Sequence, residues 1–307
     1  MEWKAKRPPP QALPNPPPST KLTLGAGGSV SSSPYKGYGP DWLPFPMITY
    51  EGERFFIRGY TAGVKIINLP YLELSAFAGY DSTSFEASES SNRRLRRLED
   101  RSPSAQAGME LRLLSPYGMF HVSGAGDVLS HSNGFNGDIG FIQSIEFGPL
   151  ELLPAVGAYW SDARYNSYYY GVTRKEARKS GLGAYAPGSG FAPYVSFAID
   201  YSLTEQWELF CRGGDVPERR GRDNPMVGET HTQSLTLGLT YVLTGRGGGN
   251  HTRGKNLLLF LTFGLFSGAG QACPARRAAG PPDASLSRRL RTVCGAAESA
   301  KGFVTHP

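Results

Sequence analysis

The chain has 307 residues, 39 glycines, 12% aromatic and 19% charged side chains, and a formal charge of +6. That charge content lies below the ~25% of ordinary soluble domains, and abundant Gly and Tyr fit short strands and turns better than helices. Several cations sit in the first seven and the last 65 residues, so the basic balance gives little reason to expect a nucleic-acid partner. Cys211, Cys273 and Cys294 have no CxxC spacing, and the five histidines form no helix-face pair with a carboxylate, so no metal or cofactor is expected.

In chain order, residues 1–20 form a Pro-rich lead-in that predicts disorder, and prolines stand where a secretory leader needs an apolar core of ~7–15 residues. From Lys21 the pattern becomes period-2 runs separated by turns. "KLTLGAGGSV" sets Leu22, Leu24 and Ala26 against Thr23, Gly25 and Gly27, and "SLTLGLTYVL" sets Leu235, Leu237 and Leu239 against Ser234, Thr236 and Gly238. This alternation is the β-strand signal. The runs are about 9–12 residues long, enough for a tilted bilayer crossing, and their polar faces are rich in Gly, Ser and Thr.

The pattern predicts strands over 22–30, 55–66, 72–80, 104–114, 119–127, 139–147, 150–160, 194–203, 207–212 and 234–243. Tight turns near 68–70, 115–118, 148–150 and 204–206 alternate with long polar loops near 82–103, 128–137, 161–192 and 213–232. Short periplasmic turns and longer outer loops mark an outer-membrane barrel. The fold class is therefore all-β: a transmembrane antiparallel β-barrel over 21–243, of ten strands with both ends periplasmic. The segment 43–59 reads either as an outer hairpin or as a separate strand pair, which makes twelve strands the alternative. Residues 244–307 are Gly-, Arg- and Ala-rich without periodicity and predict a disordered tail.

Five stretches, "SPYKGYGPDWLPFPMITYEGERFFIRG" (33–59), "AGDVLSHSNGFNGDIGF" (125–141), "YYYGVTRKEARKSGL" (168–182), "APYVSF" (192–197) and "NPMV" (224–227), resemble the MipA/OmpV family of Gram-negative outer-membrane proteins. The resemblance implies a non-enzymatic barrel located in the cell outer membrane. It also implies a scaffold role, joining a lytic murein transglycosylase to a bifunctional murein synthase. Other family members are described as adhesins, and a small channel is a further alternative. The implied surroundings are outer-membrane lipid, lipopolysaccharide and the barrel assembly machinery. Three departures stand out: the family's signal peptide and terminal aromatic residue are not seen, and "CRGGDVPERRGR" (211–222) predicts a strand from Trp207 stunted to about six residues. A mis-called start, a frameshift near 211 and read-through past Leu243 would account for them.

One group of residues has the composition of a catalytic centre. Asp127 and His131 are four apart, and Asp138 lies across the expected hairpin, a set that could activate a water. The competing reading makes these carboxylates caps of an Asn-Gly turn. Candidate binding residues are the loop arginines Arg93, Arg94, Arg96 and Arg97, whose forks match phosphates. They are joined by Tyr168, Tyr169 and Tyr170, expected at an aromatic girdle or loop base, with Arg174 and Lys175 beside them.

Overall fold

The computed structural model describes residues 20–217, 224–228 and 231–244. The expectations for the lead-in and the tail, apart from Thr20 and Thr244, which belong to strands, and for residues 218–222 lie outside these. Alternating sequence gives β1 (Thr20–Ser31), β2 (Asp41–Gly52), β3 (Phe55–Arg58), β4 (Thr61–Leu69), β5 (Leu72–Asp81), β6 (Ser104–Ser115) and β7 (Gly118–Asp127). There follow β8 (Phe135–Ile142), β9 (Ile145–Phe147), β10 (Leu150–Ser161), β11 (Gly190–Ser202), β12 (Trp207–Pro217) and β13 (His231–Thr244). Each strand pairs antiparallel with its chain neighbour, and β8 and β9 both pair with β10 as one interrupted stave. β13 returns to β1 with Lys21 opposite Thr244 and Ser31 opposite Ser234, so the described residues form a closed barrel of twelve staves. Closure leaves no lipid-facing sheet edge around most of the wall, as a bilayer demands.

The burial pattern is inverted relative to a soluble sheet. On β13 the outward Leu235, Leu237, Leu239 and Leu243 are exposed, while the inward Thr236 and Thr240 are buried. Apolar side chains thus face lipid and polar ones face the lumen. Inward aromatic rings lie on glycines of nearby strands: Phe210 on Gly238 of β13 and on Gly27 of β1 beyond it, Phe56 on Gly63, Tyr194 on Gly157. Phe210 clusters with Phe45 and Met47, Phe56 with Phe77 and Ala125, and Met119, Ile142 and Leu153 form a third apolar cluster.

Two expectations are corrected. The ten-strand count becomes twelve, its alternative, because 55–66 is not one strand. Gly59, at φ +60, turns the chain sharply between β3 and β4, and β2 supplies the further stave. β12 is not stunted either; Glu208, Phe210 and Arg212 keep the inward alternation and pair with β13 as far as Pro217 opposite His231. Gly213 leaves the space that the Phe197 ring occupies, so the glycines fit the strand rather than end it.

Among the described residues, β2 is paired along only part of its second flank. β3 pairs with β2 over Thr49–Glu51 only, and the ladder stops at Ile48, whose carbonyl accepts from Gly59 N–H at 3.2 Å. Above it, Pro44 and Pro46 share the Ile48 side of the strand, so two of the N–H groups that would point at the missing neighbour do not exist.

Candidate functional site

Four of the outer loops come together as a cap. Tyr35 from the β1–β2 loop, Phe85, Leu95 and Leu98 from the β5–β6 loop, Tyr165, Tyr169, Tyr170 and Val172 from the β10–β11 loop, and Met226 share one apolar cluster. Tyr35 stacks on Tyr170 at 5.7 Å and meets Phe85 edge-on at 4.9 Å, and Tyr165 and Tyr168 each approach Tyr169 at 4.8 Å. Such aromatic pairs add directionality to area burial. Two helices carry the β10–β11 part: α1 (Ala163–Tyr170), capped by Asp162 accepting from Tyr165 N–H, and α2 (Arg174–Ser180), opened by a Thr173/Glu176 capping box and closed by Gly181 in the left-handed conformation.

A buried ion pair ties α2 to the β5–β6 loop. Arg101 donates to Glu176 at 2.7 Å, and Glu99 N–H donates to the same carboxylate at 3.0 Å. Burial opposes ionisation of Glu176, but the donors from Thr173, Arg101 and Glu99 outweigh it and hold its pKa at about 2. Beneath the cap, Tyr165 and Gln106 both donate to Asp81 Oδ2, at 3.1 and 2.6 Å.

Deeper in the lumen lies an ionic network on adjoining strands. Arg58 reaches Glu51, Glu73 at 3.0 Å and Glu110 at 3.6 Å. Lys65 reaches Glu51 at 2.9 Å and Glu73 at 3.3 Å, and Arg112 reaches Glu110 at 2.8 Å. Three cations and three carboxylates balance, as buried charges must. Across the lumen Arg212 pairs with Asp200 at 3.1 Å. None of these side chains had been singled out in the sequence, although the period-2 pattern places Glu73, Glu110 and Arg112 on polar faces.

The residues expected to form a catalytic set are not brought together. Asp127 accepts from the N–H groups of Leu129, Ser132 and Asn133 at 2.7–2.9 Å and caps the β7–β8 turn. His131 is exposed and its Nδ1 meets the Pro103 carbonyl at 2.8 Å. Asp138 points into the barrel, where its partners are His121 and, at 3.0 Å, the Tyr194 hydroxyl. The cause is register: β7 sets His121 opposite Gly140, two residues from Asp138, on the inward face.

Of the binding candidates, Arg93, Arg94, Arg96, Arg97, Arg174 and Lys175 are exposed on the cap. Of the two places expected for the tyrosines, the structure puts them in the outer loop and not at the girdle. Tyr169 and Tyr170 are buried in the cap, and Tyr168 is half-buried against Arg101, because α1 turns them toward the apolar cluster.

The sequence profile of the family described as "MltA-interacting protein MipA" matches residues 24–243. The chain belongs to that family. The MltA-interacting protein of Escherichia coli (strain K12) is 34% identical over 223 residues, 72% of this chain and 90% of that protein. The putative outer membrane protein YiaT of the same strain is 31% identical over 225 residues, 73% of this chain and 91% of that protein. Outer membrane protein OmpV of Vibrio cholerae matches a shorter stretch, 29% identical over 83 residues, 27% of this chain and 32% of that protein. This member of the MipA family is thus an outer-membrane β-barrel, with its long-loop end outward and its short turns in the periplasm.

Proposed function

We propose that this barrel is a non-enzymatic scaffold of the cell envelope, docking a murein-cleaving transglycosylase and, with it, a murein synthase. A relative that spans most of the chain carries the name MltA-interacting protein, which supplies the partner class. The observation that carries the reading is the packed lumen. Arg58, Ser75, Arg112, Phe210, Thr236 and Thr240 are inward-facing, yet none is more than 1% exposed. A conducting channel needs wetted lumen side chains, whereas these are sealed by rings, ion pairs and the cap. What remains for function is surface: the periplasmic turns and the outer wall.

Exposed turn residues such as Tyr117 offer sites for the test. A photo-cross-linker placed at 117, in the turn 116–117, should capture a transglycosylase from intact envelopes, and the purified protein should give no conductance steps in planar bilayers. Stable single-channel steps, or envelopes in which neither the turns nor the periplasmic rim capture a murein enzyme, would overturn the reading.

A further inference from the structure

The cap carries a concentration of exposed cations. Arg93, Arg94, Arg96 and Arg97 are exposed on the β5–β6 loop, and Arg174, Lys175, Arg178 and Lys179 are exposed on α2. The two segments are far apart in sequence and touch in space: Arg97 Nη1 donates to the Lys179 carbonyl at 3.4 Å. Their placement is fixed from below. The Arg101–Glu176 pair and the Glu99 N–H bond to Glu176 anchor α2 to the loop that bears the arginines, and the capping box holds Glu176 in place for both.

Among the described residues, Lys175 alone of these eight has an acidic partner, Glu99 at 3.1 Å, and that pair is largely exposed. Arg178 and Lys179 stand in the last turn of α2, where the helix dipole favours cations. That explains their side of the patch and not the four arginines facing it. Like charges held together by a rigid scaffold repel, so an arrangement of this kind is stabilised by an external anion.

We infer that this surface binds the phosphate groups of lipopolysaccharide in the outer leaflet. The cap lies on the side of the membrane where that glycolipid is found, and the guanidinium fork matches a phosphate in two hydrogen bonds. Murein enzymes lie on the opposite side, so the inference is independent of the scaffold reading. The phosphates would sit between the 93–97 arginines and the C-terminal end of α2, replacing divalent cations that otherwise bridge them.

The test uses the full folded chain in detergent, with lipopolysaccharide and its dephosphorylated form as probes. R94Q/R97Q/R178Q/K179Q is expected to weaken binding of the phosphorylated form on the order of tenfold or more, with affinity falling as salt rises. Magnesium should compete. A second variant, R93Q/R96Q, separates local charge from a folding defect, since it should give a smaller loss at the same heat-modifiable mobility. Equal binding by the quadruple variant and the parent, or by the two forms of lipopolysaccharide, would refute the inference. So would a soluble polyphosphate that binds as tightly and loses affinity in the same variants, because the surface would then be a general anion site.

Discussion

Glu176 meets only donors: Thr173 N–H at 2.9 Å, Thr173 Oγ1 at 2.8 Å, Glu99 N–H at 3.0 Å and Arg101 at 2.7 Å. Its pKa is held at about 2 against an ordinary 4.5, so the ionised form stabilises the folded cap. That contribution is complete above the ordinary carboxylate value and is lost as pH falls through about 2. Hydrogen-exchange protection of the α2 amides should therefore collapse toward pH 2 while the strands stay protected, and Glu176→Gln should produce part of the same loss at neutral pH. Uniform protection of α2 across that range would contradict it. Half of this device could be read in advance. Thr173-x-x-Glu176 followed by Gly181 is a capping box with a glycine stop, although the loop was read without helices. Arg101 could not be paired with it, because 75 residues separate the partners and only the folded loops bring them together. For the tyrosine run the loop alternative holds over the girdle, because Tyr165 and Tyr169, four apart on α1, share the face turned to the apolar cluster.

At the scale of elements, the strands whose alternation is clean were legible to within a residue or so. The pattern for 72–80 became β5, Leu72–Asp81, and that for 104–114 became β6, Ser104–Ser115. Alternation left 43–59 open between an outer hairpin and a separate strand pair, and β2 with β3 is that pair. Proline is tolerated there because the flank it faces has no neighbour. Restoring donors should change that flank's behaviour. P44V/P46V is expected to leave the barrel folded but to create an adhesive edge, seen as dimers or larger species in detergent by light scattering, as bare edges pair with one another. A doubly substituted protein that stays monomeric and heat-modifiable would show that the prolines do not guard the edge. The Asp138 partner was missed for a comparable reason. Choosing His121 over His131 requires the β7–β8 register, which the sequence does not state.

For the whole molecule, closure depends on one seam, the eleven residue pairs between β1 and β13. Removing 231–244 should leave β1 and β12 with bare edges in lipid, and the truncated chain should be degraded rather than run as a compact heat-modifiable band. A compact, protected product would mean that another strand can complete the wall. The sequence made the closed barrel legible through strand parity and loop length. It did not make the packed interior legible, because rings such as Phe210 and Tyr194 find their glycine seats only once the staves are side by side. The seam also carries a consequence in time. At ~5–20 residues per second, the ribosome needs roughly ten to fifty seconds to travel from the first strand to the last. Throughout that interval Thr20–Ser31 has half of its eventual partners unmade, and every apolar outward face is a liability in water. Folding of this kind is a wait followed by a single closing event, and survival depends on whatever shields the chain while it waits.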